Sequence, residues 1–212
     1  MNEAGRRWLK VPAADYDGHM GLESVGQTQK LSRIFADLLQ QHPPKKGIAV
    51  LGCATGNGFE HIPNDKMVRV VGVDVNLNYL HLLKERHGER LRWLETQCCD
   101  VLRCQFPEQA FDHIHAALLF EYTDPKAVLE KVRQWLTDSG VLSVVLQHPS
   151  KAVGTVSDSP FPGVKILHDV ITLVPPDEFI ALAEGAGLTM QSREHVPLPQ
   201  GKAFEVLVFK PA

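Results

Sequence analysis

Cysteine is scarce in this chain: four occur among 212 residues, at positions 53, 98, 99 and 104. So few thiols, three of them clustered, exclude a disulfide scaffold of the kind that staples small secreted domains, and they read as reduced thiols. A second C-x-x-C pair is missing, which argues against a zinc site. Long apolar runs are also missing, so no membrane-spanning helix is expected. The opening stretch, Met1 to Trp8, carries charge but no apolar run behind it, and a secretory signal is not expected either. Charge of one sign is not in excess, since Lys+Arg 22 against Asp+Glu 25 leaves −3. That balance gives no global basic footprint, so nucleic acid is not expected as a partner. With 16 Gly, 14 Pro and 44% hydrophobic residues, the composition is globular rather than low-complexity. The expectation is a soluble, cytoplasmic protein, monomer or homodimer, with no membrane partner.

What is present is an alternation. The first twenty or so residues read as irregular, broken by Pro12, Gly18 and Gly21. From Ser24, a candidate N-cap, apolar residues recur at helical spacing through Leu38 and Leu39, until the proline pair after His42 stops the helix. Short apolar runs follow: Gly47–Gly52, Val68–Asp74, Leu91–Cys98, Phe111–Phe120 and Gly140–Leu146 read as strands. Between them, Leu77, Leu80 and Leu83 mark one helix and Asp124–Leu136 another. This order implies an α/β fold with a mostly parallel sheet and helices on both faces. Pro175–Gly187 reads as a further helix, with proline at its entry and glycine at its exit. Leu188–Val196 and Ala203–Phe209 are joined too briefly for a parallel crossover, so they form an antiparallel hairpin. The expected organisation is one domain over 1–212, with an N-terminal arm over 1–23 and an insertion over 150–172 above the carboxyl edge of the sheet.

Chemistry concentrates at consecutive strand ends. Val50-Leu-Gly-Cys-Ala-Thr-Gly-Asn-Gly runs from a buried strand into a glycine-bearing turn, where backbone N–H groups can meet a ligand closely. Neither register of this loop fits G-x-G-x-x-G, which weakens a dinucleotide reading. Asp74 closes the next strand, 22 residues after Gly52. A carboxylate there can accept hydrogen bonds from two adjacent ribose hydroxyls, or it can cap the following helix. Asp100 closes the third strand in Cys-Cys-Asp-Val-Leu, where it can accept from a base amino group or simply form a turn. Singly these are weak. Together they point to one edge of the sheet, where open α/β folds bind ligands.

These elements make the region from Lys45 to Leu146, with the terminal hairpin, resemble a class I S-adenosylmethionine-dependent methyltransferase. The matching pieces are LGCATGNG, VVGVDVN, CCDVL, and the stretch from Phe111 to Pro125 followed by a helix and GVLSVVL. The resemblance implies a Rossmann-like seven-stranded, mostly parallel sheet with an antiparallel last strand. It implies S-adenosylmethionine as cofactor and direct in-line methyl transfer to a small-molecule acceptor. By the same resemblance, Gly52, Cys53, Ala54, Thr55 and Gly56 face the methionine part. Asp74 faces the ribose, Asp100 and Val101 the adenine, Val75 belongs to the same cofactor-binding set, and Ala117 lies beside the cofactor. Tyr16 in the arm packs over the methionine moiety. The chain departs from the family at Val50, where an acid is usual, and at Ala54, where glycine is frequent.

No residue stands out as a general base, and the family needs one only where the acceptor must lose a proton. His19, Glu121 and His148 are the candidates near the site. Phe161, Val164, Ile166 and Leu167 are candidates for an apolar lid. His113 and His115 share a strand face but lack a third ligand, so buried structural histidines are expected rather than a metal pair. Two other readings stay open, a nicotinamide-dependent oxidoreductase and a catalytically silent S-adenosylmethionine-binding protein.

Overall fold

The apolar runs become strands buried on both sides, which is what a parallel sheet covered by helices requires. The computed structural model describes residues 1–65, 67–149 and 155–212. Strands β1 (Gly47–Leu51), β2 (Arg69–Asp74), β3 (Leu94–Cys98), β4 (Phe111–Ala117), β5 (Leu136–Gln147), β6 (Leu188–Pro197) and β7 (Ala203–Pro211) form one sheet in the order β3-β2-β1-β4-β5-β7-β6. Pairs among β1 to β5 are parallel, whereas β7 runs antiparallel to both β5 and β6. The order reverses at β1, with β2 on one side and β4 on the other, so the carboxyl ends of these strands flank a topological switch point.

Period-two alternation sorts the core into two layers. Ile48 and Val50 of β1 pack with Phe35 and Leu39 of helix α3 (Gln27–Gln41) and with Leu80 and Leu83 of α4 (Leu77–His87). Ala49 and Leu51 point the other way, into a cluster with Val128, Leu129 and Val132 of α5 (Pro125–Trp135) and Phe179 of α6 (Pro176–Gly185). Each of these fully buried aliphatic or aromatic side chains contributes about 1.5–3 kcal/mol of burial. Caps end the helices as the sequence requires. Asn76 Oδ1 accepts from the Asn78 N–H at the start of α4, and Asp124 Oδ1 accepts from the Ala127 N–H at the start of α5.

Several boundaries differ from the sequence reading. The first twenty residues are not irregular but form α1 (Glu3–Trp8) and α2 (Ala13–Gly21). Gly18 sits inside α2 because a Cβ there would run into the Phe161 ring; the glycine permits close packing instead of ending the helix. α3 begins at Gln27 rather than after Ser24, because Gly26 adopts a left-handed conformation, φ 64°. β4 stops at Ala117, since Leu118 turns the chain with φ 52°.

A disulfide joins Cys99 and Cys104, correcting the expectation of separate reduced thiols. β3 ends at Cys98, and a turn in which the Cys104 N–H donates to the Asp100 carbonyl brings the two sulfurs together. Cys53 and Cys98 remain free. Among the described residues no helix is long and apolar enough to cross a membrane.

Candidate active site

A cleft of about 190 Å³ opens at the carboxyl edge of the sheet, between the ends of β1, β2 and β4 and a cover made by α1, α2 and residues 155–171. Its floor is built by hydrogen bonds among strand ends. The Cys53 N–H donates to the Val73 carbonyl (3.0 Å), and the Cys99 N–H donates to the Asp74 carbonyl (3.0 Å). Asp74 Oδ2 accepts from the Ala54 N–H (2.9 Å), and its Oδ1 accepts from the Asn76 N–H (2.8 Å). Burial nevertheless dominates, raising the Asp74 carboxyl to about 6 despite these donors. Asp100 Oδ1 accepts from the Leu102 N–H (3.0 Å), holding the turn after β3.

Two non-glycine residues on the rim have left-handed backbones, Ala54 (φ 44°) and Leu118 (φ 52°). Such conformations cost on the order of 1 kcal/mol each and cluster where a site must be shaped. Gly52, with φ 67°, faces Leu119 across the cleft, and a Cβ would come within 3.2 Å of its side chain.

Of the residues expected at the cofactor, Tyr16, Gly52, Cys53, Ala54, Asp74, Val75, Asp100, Val101 and Ala117 line this cleft. Thr55 and Gly56 do not. The Thr55 hydroxyl is turned toward α2 and donates to Asp17 Oδ1 (2.6 Å), while Arg86 of α4 pairs with Asp17 Oδ2 (2.6 Å). Gly56 backs onto α4, where a Cβ would run into Leu83. Both residues fasten the loop from behind.

Trp8, Tyr79 and Tyr122 join Tyr16 in an aromatic wall missed at the sequence level. The Trp8 and Tyr122 rings are 5.2 Å apart and edge-on, and Tyr16 lies 5.5 Å from Tyr79. These four rings come from separate segments, so no local spacing announces them. The Tyr79 hydroxyl donates to the Val11 carbonyl (3.0 Å), tying α4 to the chain between α1 and α2.

Beneath this wall lies Glu121, only 2% exposed. Its Oε1 accepts from the Gln147 N–H (2.7 Å), whereas its Oε2 is buried without a hydrogen-bond partner. Burial raises this carboxyl to about 7. His19 also lines the cleft, with an unpartnered Nδ1 and a pKa lowered first by burial and then by Lys202 and His168. Lys202, itself buried, donates to the Thr155 carbonyl (3.1 Å).

The cover contains Val164 and Leu167, which pack with Val11, whereas Phe161 packs on Gly18 and Ile166 lies outside the cleft lining. Residues 150–154 of the expected insertion lie outside the described residues. His148 is likewise not on the cleft. His113 and His115 are buried structural histidines: His113 Nδ1–H donates to the His42 carbonyl (2.9 Å), the Ser143 hydroxyl donates to His113 Nε2 (2.9 Å), and His115 Nδ1–H donates to Ser143 Oγ (2.8 Å). Burial lowers them to about 4 and about 3, so both rings are neutral at pH 7.

A family model described as "Methyltransferase domain" matches residues 50–144, the span from the glycine loop to the middle of β5. That span, a little under half of the chain, is similar to a methyltransferase domain. The chain is 28% identical over 134 residues to a phosphoethanolamine N-methyltransferase of Triticum aestivum, covering 62% of this chain and 26% of that protein. The chain thus spans about a quarter of the length of the curated relatives it matches. Among solved structures, a geranyl diphosphate C-methyltransferase from Streptomyces coelicolor A3(2) superposes with a TM-score of 0.72 at 13% identity, over 99% of this chain and 97% of that one. A phosphoethanolamine N-methyltransferase from Haemonchus contortus gives 0.70 at 15% identity, over 94% of this chain and 57% of that one. At these identities the structures show the methyltransferase fold.

Proposed function

We propose that the chain transfers a methyl group from S-adenosylmethionine to a small-molecule acceptor held in the cleft. The observation that carries this reading is the convergence of Asp74, Asp100 and the backbone of Gly52 to Ala54 on one cavity that continues to a buried, half-partnered Glu121. The cavity fits the cofactor in kind. Asp74 is a desolvated carboxyl with lone pairs left over for hydroxyl donors, and Asp100 is an acceptor beside the apolar Val101. Gly52 and the left-handed Ala54 keep the loop low enough for close approach.

In this reading Gly52, Cys53 and Ala54 hold the methionine part, and Asp74 with Val75 takes the ribose. Asp100 and Val101 take the adenine, with Ala117 and Tyr16 alongside. When bound, S-adenosylmethionine supplies an electrophilic methyl on a sulfonium centre. The protein's work is then to orient the acceptor and exclude water, for which the aromatic wall and the cover above it are suited. Glu121 Oε2 is the group placed to take a proton from an acceptor nucleophile, and a carboxyl near 7 is tuned for that task. The named relatives act on phosphoethanolamine or geranyl diphosphate, which supports a small acceptor without choosing one.

Calorimetric titration with S-adenosylhomocysteine and, in parallel, with NADH tests the proposal. Micromolar binding of the former, weakened at least about tenfold by Asp74→Ala, is expected, and NADH should give no heat. Binding of NADH with silence toward S-adenosylhomocysteine would overturn it.

A further inference from the structure

A second constellation lies outside the cleft. His148, just after β5, His195 of β6 and Glu205 of β7 offer three ligand atoms all within 4.8 Å of one another. None of the three lines the cleft. The backbone fixes all of them. His195 and Glu205 are cross-strand partners on β6 and β7, and Glu205 stands opposite Leu146 of β5. His148 follows two residues later and is therefore on the same face, its N–H donating to the Ala203 carbonyl (2.9 Å).

The side chains converge on one oxygen. Glu205 Oε1 lies 2.6 Å from His195 Nδ1 and 3.0 Å from His148 Nδ1. Glu205 is 2% exposed, so this is no ordinary surface acid. His195 makes a good hydrogen bond to it, but His148 Nδ1 is buried without a hydrogen-bond partner. Protein donors therefore leave one imidazole nitrogen aimed at a carboxylate oxygen with nothing between them. Arg193 Nε holds the other oxygen, Oε2, at 2.9 Å, which fixes the carboxylate plane as outer-shell donors do for metal-bound carboxylates.

We propose that His148, His195 and Glu205 bind a divalent transition-metal ion of the zinc class. Two imidazoles and one carboxylate are a known donor set for zinc, and water can complete the tetrahedron on the exposed side. Two nitrogen donors suit a borderline-soft ion better than a hard one such as magnesium or calcium. On binding, His195 changes tautomer, its Nδ1 proton leaving to solvent while Nε2 takes one from solvent, and Nδ1 of both neutral rings and Oε1 of Glu205 become ligands. The three last-paired strands of the sheet would then be clamped at one point.

The test uses tag-free full-length protein, stripped with chelator and titrated with Zn²⁺ by calorimetry at pH 7.5. The same protein is titrated with Co²⁺ while its visible absorption is followed. One ion per chain and a tetrahedral cobalt spectrum are expected, with binding weakened at least about tenfold in His195→Ala and in His148→Ala. His81→Ala, an exposed histidine elsewhere, should leave binding unchanged. Absence of binding, or binding indifferent to both cluster variants, overturns the proposal. Because no cofactor is involved, this result is independent of whether the cleft takes S-adenosylmethionine.

Discussion

Asp74 is a carboxyl under tension between burial and its donors. Its pKa rises from 3.8 to about 6 because desolvation outweighs the N–H groups of Ala54, Val75 and Asn76. A ligand that offers two hydroxyls to the carboxylate favours its ionised form. Affinity for S-adenosylhomocysteine should therefore rise with pH through 6, about tenfold between pH 5 and 7, and level off above. In Asp74→Asn the binding should be weaker and nearly flat over that range. Calorimetry at three pH values decides it, and a wild-type affinity that does not change with pH would remove Asp74 from the ribose contact. Ala54, next to it, shows a different kind of tension, since its left-handed backbone holds the N–H that Asp74 needs.

At the scale of elements, the arm is a pair of helices strapped onto the sheet edge. Asp17 bridges Thr55 behind the loop and Arg86 on α4, and Asp15 Oδ2 accepts from the Gly163 N–H (2.6 Å) to anchor the cover. Gly18 is the point where helix and cover touch. Replacing it by alanine adds helix propensity worth about 1 kcal/mol in isolation. In place, the methyl group meets the Phe161 ring, and overpacking of this kind costs about 1–3 kcal/mol. Gly18→Ala should thus lower the melting temperature by a few degrees. A rise would mean that Phe161 swings away freely and that the arm and cover are not fastened there.

For the whole molecule, two sets of buried groups pull stability in opposite directions as pH changes. Asp74 and Glu121 have folded values raised to about 6 and about 7, above their unfolded values of 3.8 and 4.5. Their contribution is fully present below about pH 4 and is lost as pH rises through 6 to 7. His113 and His115 have folded values lowered to about 4 and about 3, below 6.5. Their contribution is present above 6.5 and is lost as pH falls. The wild-type profile between pH 5 and 7 should be shallow through this opposition. The double variant Asp74→Asn, Glu121→Gln keeps only the histidine part, so acidification from 7 to 5 should cost it on the order of 3 kcal/mol more than wild type. Urea unfolding at both pH values measures this, and parallel profiles would refute it.

Much of the sheet was legible because each strand is a short apolar run and each crossover helix has an apolar face. The strand-end acids Asp74 and Asp100 were legible because a chain that reverses at β1 must bring those ends together. The arm was not, because α2 carries Gly18 and Gly21 and a weak apolar pattern; packing on residues 161–167 makes it helical. The Cys99–Cys104 bond escaped because it depends on where β3 stops.

By itself the sequence determined the layer architecture and the antiparallel end of the sheet, since these follow from hydrophobic period and from loop length. Only the tertiary structure decided that Thr55 and Gly56 turn away from the cleft, that four aromatic rings meet in one wall, and that His148, His195 and Glu205 share one point. Those are contacts between residues far apart in the chain. Their geometry depends on strand register and helix docking, which local sequence does not encode one residue at a time.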